Sequence, residues 1–270
     1  MKKIVLLAIV TSLFFSCATD DAIRTLPVLV FQGNLVLKTQ AEVNAFGAQG
    51  YNVIDGALYI GDPFVETNTP VPSDITDLSP LNTITSVVRQ LEIQSNPLLT
   101  SLNGLSNLSV VSGLIVNDNE NLTSLDGLSG LHFIEGNSIL TGQNVFIGGV
   151  ISLLDNPSLT SVEGLSNINP QVLSRVSVNT TGLASLAGLE NITNVATLQI
   201  INNDNLASLA ALQGLSGIDT TVFIFNNDIL TNYCILQAPL QNNPELTIYN
   251  VSENQFNPTL QNIIDGNCSQ

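Results

Sequence analysis

The stretch LEIQSNPLLTSLNGLSNLSVVSG, Leu91 to Gly113, decides the reading of this chain, because LIVNDNENLTSLDGLSGLHFIEG, Leu114 to Gly136, nearly repeats it. A third clear copy, LQIINNDNLASLAALQGLSGI, runs from Leu198 to Ile218. Leu99, Leu122, Leu159, Leu183, Leu206 and Leu230 hold one equivalent position, at separations of 23, 37, 24, 23 and 24 residues. A fixed period of this size marks a solenoid, in which each unit buries its apolar side only against its neighbours. In the unit from Leu91, Leu91 and Ile93 alternate with Glu92 and Gln94, which predicts a short strand with one face buried. Asn96-Pro97 turns the chain, Leu99 and Leu102 re-enter the core, and Gly104 allows a second tight turn, as Gly127, Gly164 and Gly188 do in their units. Asn96, Asn119, Asn156, Asn203 and Asn227 share one turn position, where their amides can bond along the stack.

These patterns predict a mainly β fold, a parallel β-helix or leucine-rich solenoid with short capping helices at both ends. Thr39 with Glu42 forms a capping box for the first helix, ended by Gly47 or Gly50. Asn257-Pro258 opens the last helix and Gly266 stops it. Residues 31–270 then make one domain, with a C-terminal cap over about 232–270. The single long spacing places an insertion of about 14 residues at Gly136 to Gly149, and the Pro/Thr-rich stretch from Gly61 to Asp74 is a second excursion. Long insertions from such stacks often carry binding.

The N-terminus reads as an address. Lys2 and Lys3 precede an apolar run from Ile4 to Phe15, too short to span a bilayer, followed by Ser16 and Cys17. Residues 1–16 resemble a bacterial lipoprotein signal, with Phe14 where the motif usually has Leu. The resemblance implies acylation of Cys17, an anchor in the membrane through that lipid, and a tether over 17–30. Asp20 and Asp21 resemble the export tag of some Gram-negative surface lipoproteins, so the expected location is the outer membrane, facing outward. An ordinary signal peptide is the alternative. No later segment is long and apolar enough for a transmembrane helix.

With Cys17 acylated, Cys234 and Cys268 remain as a pair, and an oxidising compartment permits a disulfide between them. Free thiols are the other reading; two cysteines without nearby histidines cannot complete a zinc shell. The 22 acidic and 6 basic residues give a net charge of −16, which repels nucleic acid and anionic lipid. Hydrophobic residues at 44% and charged ones at 10% suit a buried core rather than disorder.

Catalysis needs convergent titratable groups, and none is legible. Beyond the signal, the chain has one histidine, His132, and four scattered basic residues, Arg24, Lys38, Arg89 and Arg175. No catalytic residue, metal ligand or cofactor is expected; calcium at the turns around Asp118, Asp204 and Asp228 stays open as a second reading of those bends. Outward strand positions align into two columns: Glu92, Ile115, Ser152, Ser177, Gln199, Phe223, and Gln94, Asn117, Leu154, Asn179, Ile201, Phe225, Tyr249. Ile201, Phe223, Phe225 and Tyr249 would form an apolar patch for a ligand; sheet-stabilising stacking is the simpler reading of the same residues.

Gly56-Ala57-Leu58-Tyr59-Ile60, Leu102-Asn103-Gly104-Leu105, Leu125-Asp126-Gly127-Leu128 and Leu186-Ala187-Gly188-Leu189-Glu190-Asn191-Ile192 carry a family resemblance. Over about residues 33–232 the chain resembles the receptor L domain, the leucine-rich β-helix module of the insulin and epidermal growth factor receptors, and bacterial surface lipoproteins built on it. The resemblance implies a right-handed β-helix with a recognition role, and it transfers no ligand residues. The chain lacks the cysteine-rich modules that flank L domains in those receptors, and Leu91-Glu92-Ile93 runs straight into its asparagine turn, unlike a strict leucine-rich repeat. The expected function is non-catalytic recognition or adhesion toward an extracellular protein or glycan. A glycan-capture protein of a nutrient-uptake complex is the alternative, and a carbohydrate-active enzyme a remote one.

Overall fold

The computed structural model describes residues 27–63, 72–135, 137–141, 143–147, 149–169, 171–243 and 246–270, with 137–147 described by backbone alone. Cys17, the signal segment, most of the tether and the centre of the Pro/Thr-rich excursion lie outside these residues. The fold is mainly β, with two parallel sheets and few helices. Strands β1 (Val30–Gln32), β2 (Leu35–Leu37), β3 (Val53–Asp55), β4 (Leu58–Gly61), β5 (Ser86–Val87), β6 (Gln90–Gln94), β7 (Val110–Val111), β8 (Gly113–Asn117) and β9 (Phe133–Ile134) alternate between the sheets. The odd-numbered ones form a five-stranded sheet in the order β1-β3-β5-β7-β9. The even-numbered ones begin a nine-stranded sheet that β12 (Gly149–Asn156), β13 (Gln171–Thr181), β14 (Ile192–Ile201), β15 (Gly217–Phe225) and β16 (Ile248–Ser252) complete in chain order. Between β9 and β12 the insertion forms an antiparallel hairpin, β10 (Asn137–Thr141) with β11 (Gln143–Ile147).

Early repeats break sharply between the sheets, at Val88–Arg89 and Ser112. Later ones do not: β13, β14 and β15 run through the corner as single strands of 11, 10 and 9 residues, with register shifts marking the bend.

The periodic leucines meet in one interior. Leu99, Leu122, Leu159, Leu183, Leu206 and Leu230 are each 0% exposed and belong to one apolar cluster. The strands supply its wall through register-matched residues such as Leu58, Leu91, Leu114, Ile151, Val176, Leu198 and Val222. Burying a leucine side chain contributes roughly 1.5–3 kcal/mol, so the repeat is itself the main source of stability. Gly104 carries a φ of +108°, but Gly127, in the same place, has no such dihedral. What both share is closeness: an added Cβ would lie 2.0 Å from the Leu78 carbonyl oxygen at Gly104 and 2.2 Å from that of Leu102 at Gly127. The glycine is there because successive repeats touch backbone to backbone, beyond the tight turn that the sequence implied.

The turn asparagines form a buried ladder. Asn96, Asn119, Asn156, Asn203 and Asn227 are 0% exposed. The Asn96 amide donates to Asn119 Oδ1 (3.0 Å), Asn119 to Asn156 (3.2 Å), Asn203 to Asn227 (3.3 Å) and Asn227 to Asn254 (2.8 Å). Each also caps strand carbonyls, as Asn119 does for Ile93 and Asn117. Thr181 stands in one rung, its hydroxyl donating to Asn203 Oδ1 at 2.7 Å. Just before each rung the backbone turns left-handed, at Ser95, Asp118, Asp155, Thr180, Asn202, Asn226 and Glu253, with φ of 53–57°. Asn and Asp tolerate that conformation; the β-branched Thr180 does so at a cost.

Helices close both ends. Thr39 and Glu42 form the capping box of α1 (Gln40–Gly47), whose Val43 and Phe46 face inward. At the other end lie α2 (Gln237–Asn242) and α3 (Leu260–Ile264). Helix α3 is capped by Thr259 with Asn262, rather than started by Asn257-Pro258, and Gly266 follows its end with a φ of +86°. A disulfide joins Cys234 to Cys268 across a Cα–Cα distance of 4.8 Å.

Candidate functional site

Strand alternation turns every second residue of the nine-stranded sheet outward, and the register aligns those residues into rows across the strands. One row reads Tyr59, Glu92, Ile115, Ser152, Ser177, Gln199, Phe223, Asn250. The next reads Gly61, Gln94, Asn117, Leu154, Asn179, Ile201, Phe225, Ser252. Tyr249 is not in it. It pairs with Val222, an inward residue, so its position belongs to the interior row. The expected patch therefore loses Tyr249, whose hydroxyl donates to the Pro258 carbonyl (2.6 Å) in the C-terminal cap. Burial pushes the Tyr249 hydroxyl above its ordinary pKa, as it does for Tyr233, which donates to the Phe256 carbonyl. Gln94, expected on the outer face, is only 4% exposed.

Ile201, Phe223 and Phe225 do come together. They lie half-buried on β14 and β15, Ile201 directly beside Phe225. The two rings sit 6.2 Å apart at an interplanar angle of 38°. Polar groups frame them. Gln199 and Asn250 are the register partners of Phe223 on its two sides, and Ser252 is that of Phe225. Along one edge runs an amide track, Asn226 donating to Asn202 (2.8 Å) and Asn202 to Asn179 (3.3 Å). Along the other edge Thr197 pairs with Thr221.

Elsewhere on this face a small polar group joins Tyr59, Gln90 and Glu92. The Gln90 amide reaches the Glu92 carboxylate at 3.1 Å and the Tyr59 hydroxyl at 3.5 Å. Burial raises the Glu92 pKa, and the Gln90 hydrogen bond offsets part of the rise. No second carboxylate aligns with Glu92 in its row, so the pair needed for acid–base hydrolysis is not assembled there. His132 is exposed in a turn with its ring against the Gly130 carbonyl.

Two further surfaces escaped the sequence reading. The outer row of the five-stranded sheet is largely apolar: Val30, Val53, Ser86, Val110, Phe133, with Val30 and Phe133 about two-fifths exposed at 41% and 40%. Strands of two or three residues give no alternation to detect. An open cleft of about 430 Å³ lies where α2 meets β14 and β15, lined by Asn194, Ser216, Asp219, Pro239, Asn242 and Asn243 among others. Asn242 donates to the Ser216 carbonyl, Asn243 to those of Ile218 and Asp219, and the Asn194 Oδ1 accepts from the Ser216 hydroxyl.

Among the described residues no three of His, Cys, Asp and Glu gather at metal-binding distance, and no helix is long and apolar enough to cross a membrane. No protein-family model, curated protein or solved structure matches the chain.

Proposed function

We propose that this chain is a non-catalytic recognition or adhesion protein that binds through the outer face of a right-handed leucine-rich β-solenoid of the receptor L domain kind, held on the outer surface of a bacterial outer membrane by lipid on Cys17. The observation that carries the reading is the group of Ile201, Phe223 and Phe225, gathered and left partly exposed on a sheet face whose opposite side is fully buried. Exposed aromatic groups framed by polar residues characterise binding surfaces. The alternation of parallel strands between two sheets supports the solenoid, since a winding chain places them in that order.

The test has two arms. Phe223→Ser with Phe225→Ser should abolish adhesion to the cognate surface while the far-UV spectrum stays unchanged; full adhesion by the folded variant would discard the face. Cys17→Ser should block incorporation of radiolabelled palmitate and move the protein from the membrane to the soluble fraction. Unaltered fractionation would remove the anchor from the reading.

A further inference from the structure

We propose that the ligand of this face is an uncharged saccharide, stacked on Phe223 and Phe225 and held by the amides of Gln199 and Asn250. The inference rests on the reading that this face is the binding surface, and it names what is bound.

The rings supply an apolar platform of the size of a sugar's C–H face, and edge or face contacts with aromatic rings favour such partners. The two amides make the platform selective. Gln199 on β14 and Asn250 on β16 stand beside Phe223, one strand spacing away on each side. The Gln199 Oε1 accepts from the Ser177 hydroxyl at 3.3 Å, and the Asn250 Oδ1 accepts from the Ser252 hydroxyl at 2.8 Å. Each oxygen is thereby held by a neighbour in the protein. The Gln199 Nε2 and Asn250 Nδ2 have no acceptor among the described residues, so both stay available to ligand hydroxyl oxygens without a protein bond being broken.

Charge narrows the class. The residues of the two outer rows on β13 to β16 are Ser177, Gln199, Phe223, Asn250, Asn179, Ile201, Phe225 and Ser252, and none is charged. A chain with 22 acidic and 6 basic residues repels anionic polysaccharides. These eight side chains offer a cationic partner nothing, and the nearest charge in the adjacent outward row is the exposed Arg175, register partner of Thr197, which repels a cation. A neutral, hydroxyl-rich ligand uses everything the face offers.

The experiment measures binding of the purified full chain to neutral polysaccharides (a glucan, a mannan, a galactan, a xylan) and to polygalacturonate by affinity electrophoresis and calorimetry. The expected result is binding to at least one neutral polymer, insensitive to salt. Phe223→Ala should weaken it about tenfold. Gln199→Ala and Asn250→Ala should each weaken it about threefold to tenfold, and these two keep the test valid if the ring variant misfolds. Phe133→Ala, on the other sheet, should change nothing. Absence of binding to every neutral polymer, with adhesion still lost in the Phe223→Ser/Phe225→Ser protein, overturns the saccharide and leaves the face as a protein-binding surface. Sugar binding and adhesion both intact in the folded ring variant would sink the face and the saccharide together. Binding to polygalacturonate alone, fading with salt, overturns the neutral class.

Discussion

Replacing Asn119 with alanine tests whether the buried ladder holds the repeats together. Asn119 is 0% exposed. Its Nδ2 donates to the carbonyls of Ile93 (3.0 Å) and Asn117 (2.8 Å) and to Asn156 Oδ1 (3.2 Å), while its Oδ1 accepts from the backbone N–H (3.3 Å) and amide (3.0 Å) of Asn96. Truncation strands the Ile93 carbonyl and the Asn96 N–H in a dry interior, while the part-buried Asn117 carbonyl keeps the Ser95 N–H (3.2 Å). The Asn96 amide keeps the Ile60 and Gln94 carbonyls and suffers less. At about 1–3 kcal/mol for each buried group left unpaired, with two fully affected, the loss comes to about 2–6 kcal/mol. That corresponds to a fall in Tm of about 10 °C for a domain of this size. The chain has no tryptophan, so urea unfolding is followed by far-UV circular dichroism. Asn121→Ala is the control: Asn121 is exposed, and its amide makes a single bond, to the Pro97 carbonyl. It should lose no more than about 1 kcal/mol. Equal losses in the two variants would refute the ladder as a source of stability.

Three other perturbations bear on the same architecture. Thr180→Asn with Thr181→Asn relieves a β-branched residue at a φ of 54° and restores the missing rung, so the urea midpoint should rise by the equivalent of about 1–2 kcal/mol; a fall would mean that these threonines make contacts worth more than the ladder. Burial raises the Glu92 pKa above 4.5, so the folded state holds its proton more tightly than the unfolded chain does. That contribution is complete below pH 4.5 and vanishes as pH climbs through the raised folded value. Glu92→Gln should accordingly flatten the decline in stability toward neutral pH, and parallel pH profiles for the two proteins would contradict it. Cys234→Ser with Cys268→Ser opens a bridge with a sequence separation of 34, which should cost about 4 kcal/mol in the chain-entropy account; calorimetry showing less than about 1 kcal/mol would mean that the cap holds by packing alone.

Much of this was legible because the signal repeats. Leu91 and Ile93 alternate with polar neighbours, and the same alternation returns in β8, β12 and β14, so the inner and outer rows could be aligned from spacing alone. The alignment failed at β16 for a physical reason. Between Phe225 and Ile248 the chain replaces the usual arc by α2, and the constant period that places Ile201 opposite Phe225 no longer applies. A constant period puts Tyr249 opposite Phe225, where Ser252 stands three positions on, and in a strand an odd shift is the opposite face. The five-stranded sheet was illegible because Ser86–Val87 and Val110–Val111 are too short to show a period. The free amides beside Phe223 could not be foreseen either. That the amide oxygens of Gln199 and Asn250 are occupied, leaving the nitrogens, depends on Ser177 and Ser252, partners set by register and local geometry rather than by composition.

The disulfide cap and the aromatic face occupy the same end of the stack. There Cys268 bonds to Cys234, the Tyr233 N–H donates to the Cys268 carbonyl, and Ser269 pairs antiparallel with Asn232. A linear array of repeats melts inward from its termini. In such an array the covalent clasp resists opening at the end bearing Phe223 and Phe225, whereas at the opposite end the described residues offer α1 as cover. A load applied at the rings would meet the part of the molecule slowest to unzip.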